Sequence, residues 1–137
     1  SQLRKYVHKA FGQSMPAGQY LMQQLETRLD NVIYRLGFGD SRRQARQIVL
    51  HGHIEIDGKK TDIPSYNVTE GNVIAWRESH KGSEYAKAMS DDLPKRPVPE
   101  WLNLDVSSLK ANVVRMPDET ELDTTIDTRL IVEFYSR

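Results

Sequence analysis

An α+β fold is predicted, and three observations carry it. A long apolar stripe of helical period runs from Leu21 to Leu36, a second and shorter one follows Ser41, and strict strand alternation then surrounds Asp57-Gly58. At 137 residues and 38% hydrophobic, the chain makes one domain, or two small ones sharing a core. Charged residues at 28% fit an ordinary globular protein rather than a disordered one.

In chain order, Leu3, Val7, Ala10 and Phe11 recur at helical spacing, with Arg4, Lys5, His8 and Lys9 on the remaining face. Gly12–Gly18 breaks that helix. Leu21, Met22, Leu25, Leu29, Val32, Ile33 and Leu36 then predict one helix of four turns, ended by Gly37, whose stripe is core. Arg28 and Arg35 lie off the stripe. Four residues later Ser41 suits an N-cap, and Gln44 completes a capping box. Ala45, Ile48 and Val49 form the apolar face of this helix, and Arg42, Arg43 and Arg46 point away from it. The short link implies that the two helices pack together.

His51-Gly52 stops the helix, with Gly able to take the left-handed cap. Ile54 and Ile56 alternate with His53 and Glu55, and Asp57-Gly58 turns the hairpin into Lys59–Ile63. After Pro64-Ser65-Tyr66 and a Glu70-Gly71 turn, Asn72–Glu78 reads as a strand. Ile54, Ile56, Ile63, Val68, Val73 and Ala75 are expected to line the inner face of a small antiparallel sheet. From Ser79 to Asn112 no regular structure is predicted, because Pro94, Pro97 and Pro99 interrupt it, and Trp101, Leu102 and Leu104 anchor the segment. Val113-Val114 suggests one more strand. Asp118–Asp123 is either a solvated loop or the start of a short helix, and Leu130–Tyr135 either a buried strand or a docked tail.

Net charge is zero, but its distribution is not even. Residues 1–60 hold ten Lys+Arg against five Asp+Glu, and residues 61–137 hold nine against fourteen, so the halves carry +5 and −5. Such a split gives one surface suited to polyanions. The arginines sharpen this. A helix N-terminus is already partly positive, so Arg42 and Arg43 in a first turn oppose local stability unless an anion arrives from outside. Guanidinium forks and exposed N–H groups then make a phosphate site. With the Asp57-Gly58 hairpin alongside, Arg42, Arg43, Arg46, His51, His53, Lys59 and Lys60 are expected on one rim, with Tyr66 and Arg77 nearby. Cations interleaved with rings suit RNA, where phosphates are gripped and exposed bases stacked.

Other chemistry is poorly supported. His51 and His53 at strand spacing have no third metal ligand in view, and cysteine is absent, so neither a metal nor a cofactor is expected. No nucleophile–base arrangement can be argued, Gly37-Phe38-Gly39 is too short for a nucleotide loop, and no enzyme activity is predicted. No run approaches the length of a membrane span, and no signal peptide opens the sequence. The abrupt start inside a helical pattern leads us to expect that an N-terminal segment is missing.

RLDNVIYRLGF, SRRQARQIVLHGHIEIDGKK, DIPSYNV and the terminal LIVEFYSR closely resemble the small-subunit ribosomal protein S-four family of bacteria and organelles. The resemblance covers residues 20–78 and 129–137 and is looser over 80–128. It implies a small helical domain, formed by N-terminal helices and the C-terminal tail, with an RNA-binding module of two helices on a small antiparallel sheet inserted into it. The expected division is 1–25, 26–123 with its core at 28–78, and 124–137. It implies a structural protein, without the family's usual N-terminal extension, that binds a multi-helix junction in the 5′ domain of small-subunit ribosomal RNA. That binding nucleates subunit assembly. Neighbours would include ribosomal protein S-five, at an interface that influences decoding accuracy, and mRNA near the channel through which it enters. The location implied is the cytoplasmic ribosome, with a plastid or mitochondrial ribosome as the alternative. Carried over residue by residue, the basic positions are Arg42, Arg43, Arg46, His51, His53, Lys59 and Lys60, with Lys5 and Lys9 matching the basic first helix. Neutral overall charge departs from the usual strongly basic family member. The rival readings are a similar module appended to an RNA-modifying enzyme, or one belonging to a ribosome-rescue factor.

Overall fold

In a computed structural model, residues 17–122 are described. The helix expected over Leu3–Phe11 and the segment Leu130–Tyr135 lie outside them. The chain divides into two units, one of them Thr27–Met116, the other taking its described residues from 17–26 and 117–122.

The smaller unit contains α1 (Ala17–Glu26), with Leu21 and Met22 buried. Gln23 Nε2 donates to the Pro117 carbonyl at 3.3 Å. Of the two readings of the acidic stretch, the helical one holds. Asp118 caps a single 3-10 turn, Glu119–Glu121, and Glu121 completes a capping box.

The larger unit begins by dividing what the stripe alone reads as one helix. Instead of continuing α1, the chain is extended at Arg28 (φ −60°, ψ 140°), and α2 spans Leu29–Arg35. The cause is long-range pairing. Thr27 O accepts from Val68 N at 2.9 Å and Leu29 N donates to Tyr66 O at 2.7 Å. Asn67 Nδ2 adds a bond to Thr27 Oγ1 at 2.9 Å. These contacts hold two residues outside helical geometry, and the stripe resumes with Leu29, Val32, Ile33 and Leu36, all buried.

Helix α3 spans Arg42–Leu50. Ser41 Oγ accepts from Gln44 N at 3.1 Å, as its N-cap role requires. The reciprocal bond falls one residue earlier than a capping box predicts, since Gln44 Oε1 accepts from Asp40 N at 2.5 Å. At the other end Gly52 (φ +77°) sits in the left-handed region. Gly52 N bonds Val49 O and His53 N bonds Ile48 O, which makes a Schellman motif.

Five antiparallel strands follow in the spatial order β2-β1-β3-β5-β4. They are β1 (Ile54–Ile56), β2 (Lys59–Lys60), β3 (Val73–Trp76), β4 (Leu102–Asp105) and β5 (Lys110–Val113). Asp57 and Gly58 both have positive φ, +52° and +82°, as a two-residue type I′ hairpin demands. Register sets the core face. Ile54 pairs with Trp76 and Ile56 with Ile74, Ile74 with Ala111, and Leu104 and Leu102 with Ala111 and Val113. Directly opposed residues share a face, so the inner residues of β3 are Ile74 and Trp76. The expectation of Val73 and Ala75 there was out of phase by one residue. Ile63, also expected inside, is 55% exposed.

The stretch expected to be irregular holds more structure than its prolines suggest. A 3-10 turn at Glu78–His80 precedes α4 (Glu84–Asp91), where Ser83 caps Ala86 N and Ala86 and Met89 face inward. β4 and β5 then form a hairpin. Pro94–Pro99 stays outside helix and strand, and Trp101 and Leu102 are buried anchors as expected.

Candidate nucleic-acid interface

Helical period assigns the faces of α3. Ala45, Ile48 and Val49 are buried, and Arg42, Arg43, Arg46, Gln47 and Leu50 are exposed. Arg42 leans toward α2, where its Nε donates to Asn31 Oδ1 at 3.2 Å and its guanidinium lies 4.5 Å from the centre of the Tyr34 ring. Arg96 approaches the same ring to 4.2 Å and donates to the carbonyls of Tyr34 and Gly39. Two cations on one ring gain from its quadrupole and fix the Arg42 stem. Arg42 Nη1 and Nη2 make no hydrogen bond among the described residues. Nor does the Arg43 side chain.

Arg46 is the exception. Its Nη1 stands 3.7 Å from Asp30 Oδ2, a carboxylate already held by Arg28 at 3.1 and 3.2 Å. A pair that long, with the Arg46 side chain 53% exposed, contributes little and opens readily. Among the described residues, then, the arginine crest is not neutralised by acids beyond that one long pair.

The remaining expected residues form a second group at the opposite end of α3. Arg77 Nη1 donates to Gly52 O at 3.0 Å, and Lys60 lies against the same glycine. Cations at this end complement the helix dipole, so their placement is stabilising without any ligand. Lys59 and Lys60 line a shallow hollow with Ile63 and Tyr66, which is 38% exposed. The single rim expected from the sequence is thus two clusters, whose outer ends lie roughly 13 Å apart along the nine-residue helix, with Arg46 between them. Arg4, Lys5 and Lys9 lie outside the described residues.

His53 does not face solvent freely. It stacks on Trp76 at 5.1 Å and 15°, and its Nδ1 lies within hydrogen-bond distance, 2.8 Å, of His80 Nδ1, the tautomers setting which nitrogen donates. His51, at 6.3 Å from the His53 ring, is exposed. Among the described residues no group of three or more His, Cys, Asp or Glu side chains could hold a metal. Burial lowers the pKa of His53, and the nearby His80, His51 and Arg77 lower it further. The fold therefore favours neutral imidazole. As pH falls through the ordinary histidine range the unfolded chain takes up a proton that the folded chain resists, so stability is lost. His53→Phe, which keeps the stack, should flatten the fall in Tm between about pH 7 and 5.5, where carboxylates remain ionised. Parallel Tm curves for the two proteins would refute this.

Sequence reading missed Arg96, Tyr34 as a cation platform, and Tyr85, which stacks on Trp76 at 6.0 Å. A basic pair between prolines, Lys95-Arg96, was the available signal for the first.

The S4 domain model matches residues 27–74, the span from the extended pair before α2 into β3. Small ribosomal subunit protein uS4A of Alkaliphilus oremlandii is 49% identical over 137 residues, covering 100% of this chain and 66% of that protein. Small ribosomal subunit protein uS4 of Dehalococcoides mccartyi is 45% identical over 136 residues, 99% of this chain and 66% of the relative. That of Chloroflexus aurantiacus is 48% identical over 138 residues, 99% and 67% respectively. An α+β module with an S4 domain at its centre defines the class, and the chain belongs to the uS4 family of small ribosomal subunit proteins. It spans about two thirds of the length of these curated relatives.

Proposed function

We propose that this chain binds small-subunit ribosomal RNA as a structural component of the ribosome, with no catalytic step. The observation that carries the reading is the arginine crest of α3. Arg42 presents two free Nη groups, Arg43 is unpaired among the described residues, and Arg46 is held only by a long ion pair. Family membership supports it, since the relatives are named as small-subunit proteins and the S4 domain is an RNA-binding domain.

A helix of this width cannot read the deep narrow groove of duplex RNA, so recognition rests on shape, backbone and unpaired bases. The preferred target is the multi-helix junction of the 5′ domain. Early binding there nucleates assembly, and docking beside protein S-five and incoming mRNA accounts for an influence on decoding accuracy. Arg4, Lys5, Lys9, Arg42, Arg43, Arg46, His51, His53, Lys59, Lys60, Tyr66 and Arg77 remain the proposed contact set, with the crest arginines and the Lys59–Tyr66 hollow as its exposed parts. A helical domain built from the flanking segments, with the module inserted, belongs to the same proposal. No helix among the described residues is long and apolar enough to cross a membrane.

Filter binding against a 5′-domain transcript and a large-subunit transcript of equal length tests this. Preferential binding of the first, weakening steeply with salt, is expected. Equal affinity for both transcripts at every salt concentration would overturn the reading.

A further inference from the structure

We infer that the groove between α3 and α4 takes one unpaired RNA base, stacked against Tyr85 with its edge met by the Gln44 and Gln47 amides. The inference rests on the RNA-binding reading above and adds a base-binding site to its phosphate contacts.

The same period that sends Arg42 toward α2 sends Gln44, Gln47 and His51 toward the opposite flank of α3. There they line a hollow with Ile48, His53 and Tyr85. Its wall is built in advance. Tyr85 stacks on Trp76, which stacks on His53, at 6.0 and 5.1 Å with interplanar angles of 19° and 15°. Trp76 is itself held by Nε1 donating to His80 O at 3.2 Å. A ring ordered before the ligand arrives loses little entropy on binding. Tyr85 remains 40% exposed at the end of this ladder.

Hydrogen-bonding capacity in the hollow is largely unspent. Among the described residues Gln44 commits only its Oε1, to Asp40 N. Gln47 and the Tyr85 hydroxyl make no side-chain hydrogen bond among the described residues. A primary amide offers donors and an acceptor in one plane, which suits the edge of a base, as an aromatic face suits its ring. Burial lowers the pKa of His53, so this imidazole lines the hollow as a neutral ring. Phosphate is met instead by Arg43, four residues before Gln47 and so on the same side of α3.

Fluorescence anisotropy of the full chain with labelled octa-adenylate, and with an abasic octamer carrying the same phosphates, tests the groove. Tyr85→Ala should weaken octa-adenylate binding about 5- to 150-fold, the range for one base–aromatic stack. Abasic binding and the log–log salt slope should stay unchanged, because no phosphate contact is lost. Tyr85→Phe should retain affinity. Gln47→Ala, at an exposed position that the core does not use, should weaken octa-adenylate binding selectively even if Tyr85→Ala perturbs the ring ladder. Equal affinity of the unaltered chain for both oligomers, alongside preferential 5′-domain binding, overturns the groove alone. So does a chain whose Tyr85 and Gln47 variants weaken both oligomers alike. Failure to bind ribosomal RNA or either oligomer overturns the groove together with the RNA reading.

Discussion

Trp76→Ala is expected to destabilise the larger unit by about 3–5 kcal/mol, a large share of a small domain's total. The residue is 1% exposed and sits where several elements meet. Its register pairing places it opposite Ile54, its ring meets Phe38 edge-on at 5.9 Å, and His53 and Tyr85 stack on it. Truncation empties the space under β1, β3 and α4 together and removes the indole N–H that donates to the His80 carbonyl. Urea unfolding followed by circular dichroism measures the loss. A midpoint within error of the unaltered chain would mean that the core is organised elsewhere.

Replacing Arg42 and Arg43 together by Ala should have the largest effect on binding. Two lost phosphate contacts predict a log–log salt slope shallower by about 1.5 and an affinity lower by about tenfold or more at low salt. Fold stability should hardly move. The Arg43 side chain makes no hydrogen bond, ion pair or ring contact among the described residues and opposes the helix dipole, so its loss is neutral or slightly favourable. Arg42 contributes its bond to Asn31 and its place on the Tyr34 ring, about 0.5–1 kcal/mol for an exposed cation–π pair, which offsets that gain. Nitrocellulose binding across a salt series, beside a thermal melt, separates the two readouts. Unchanged affinity and slope would remove the arginines from the interface.

Local chemistry made α3 and the first hairpin legible. Ser41, Gly52 and Asp57-Gly58 each sit where only a few residue types meet the backbone's demands, so their pattern announces the structure. Long-range pairing hid other elements. Nothing between Leu21 and Leu36 signals a break, because the break is imposed by strand-like bonds from Tyr66 and Val68. The β4–β5 hairpin went unseen for a related reason. Leu102 and Leu104 alternate with polar residues as β-strands do, but the turn places Leu109 in the left-handed region at φ +53°, without the glycine or asparagine that marks such turns. Helix α4 has only Ala86 and Met89 as inward anchors, too few for its period to stand out. Of the candidate site, the arginine crest was readable from α3 alone. The split into two clusters depends on Arg77 folding back onto Gly52, a contact 25 positions apart.

The most direct measurement places a cleavage reagent on the outward side of α3, one turn beyond Arg46. The chain has no cysteine, so Leu50→Cys, at an exposed site on the outward side of α3, gives a unique attachment point. With hydroxyl radicals generated there in a complex with small-subunit ribosomal RNA, strand cuts should cluster at a few 5′-domain positions. The same reagent at Val114→Cys, an exposed position following β5, should give weaker or different cuts. Absent or scattered cleavage from position 50, with a focused pattern from position 114, would place the RNA on another face and contradict the role assigned to the α3 arginines.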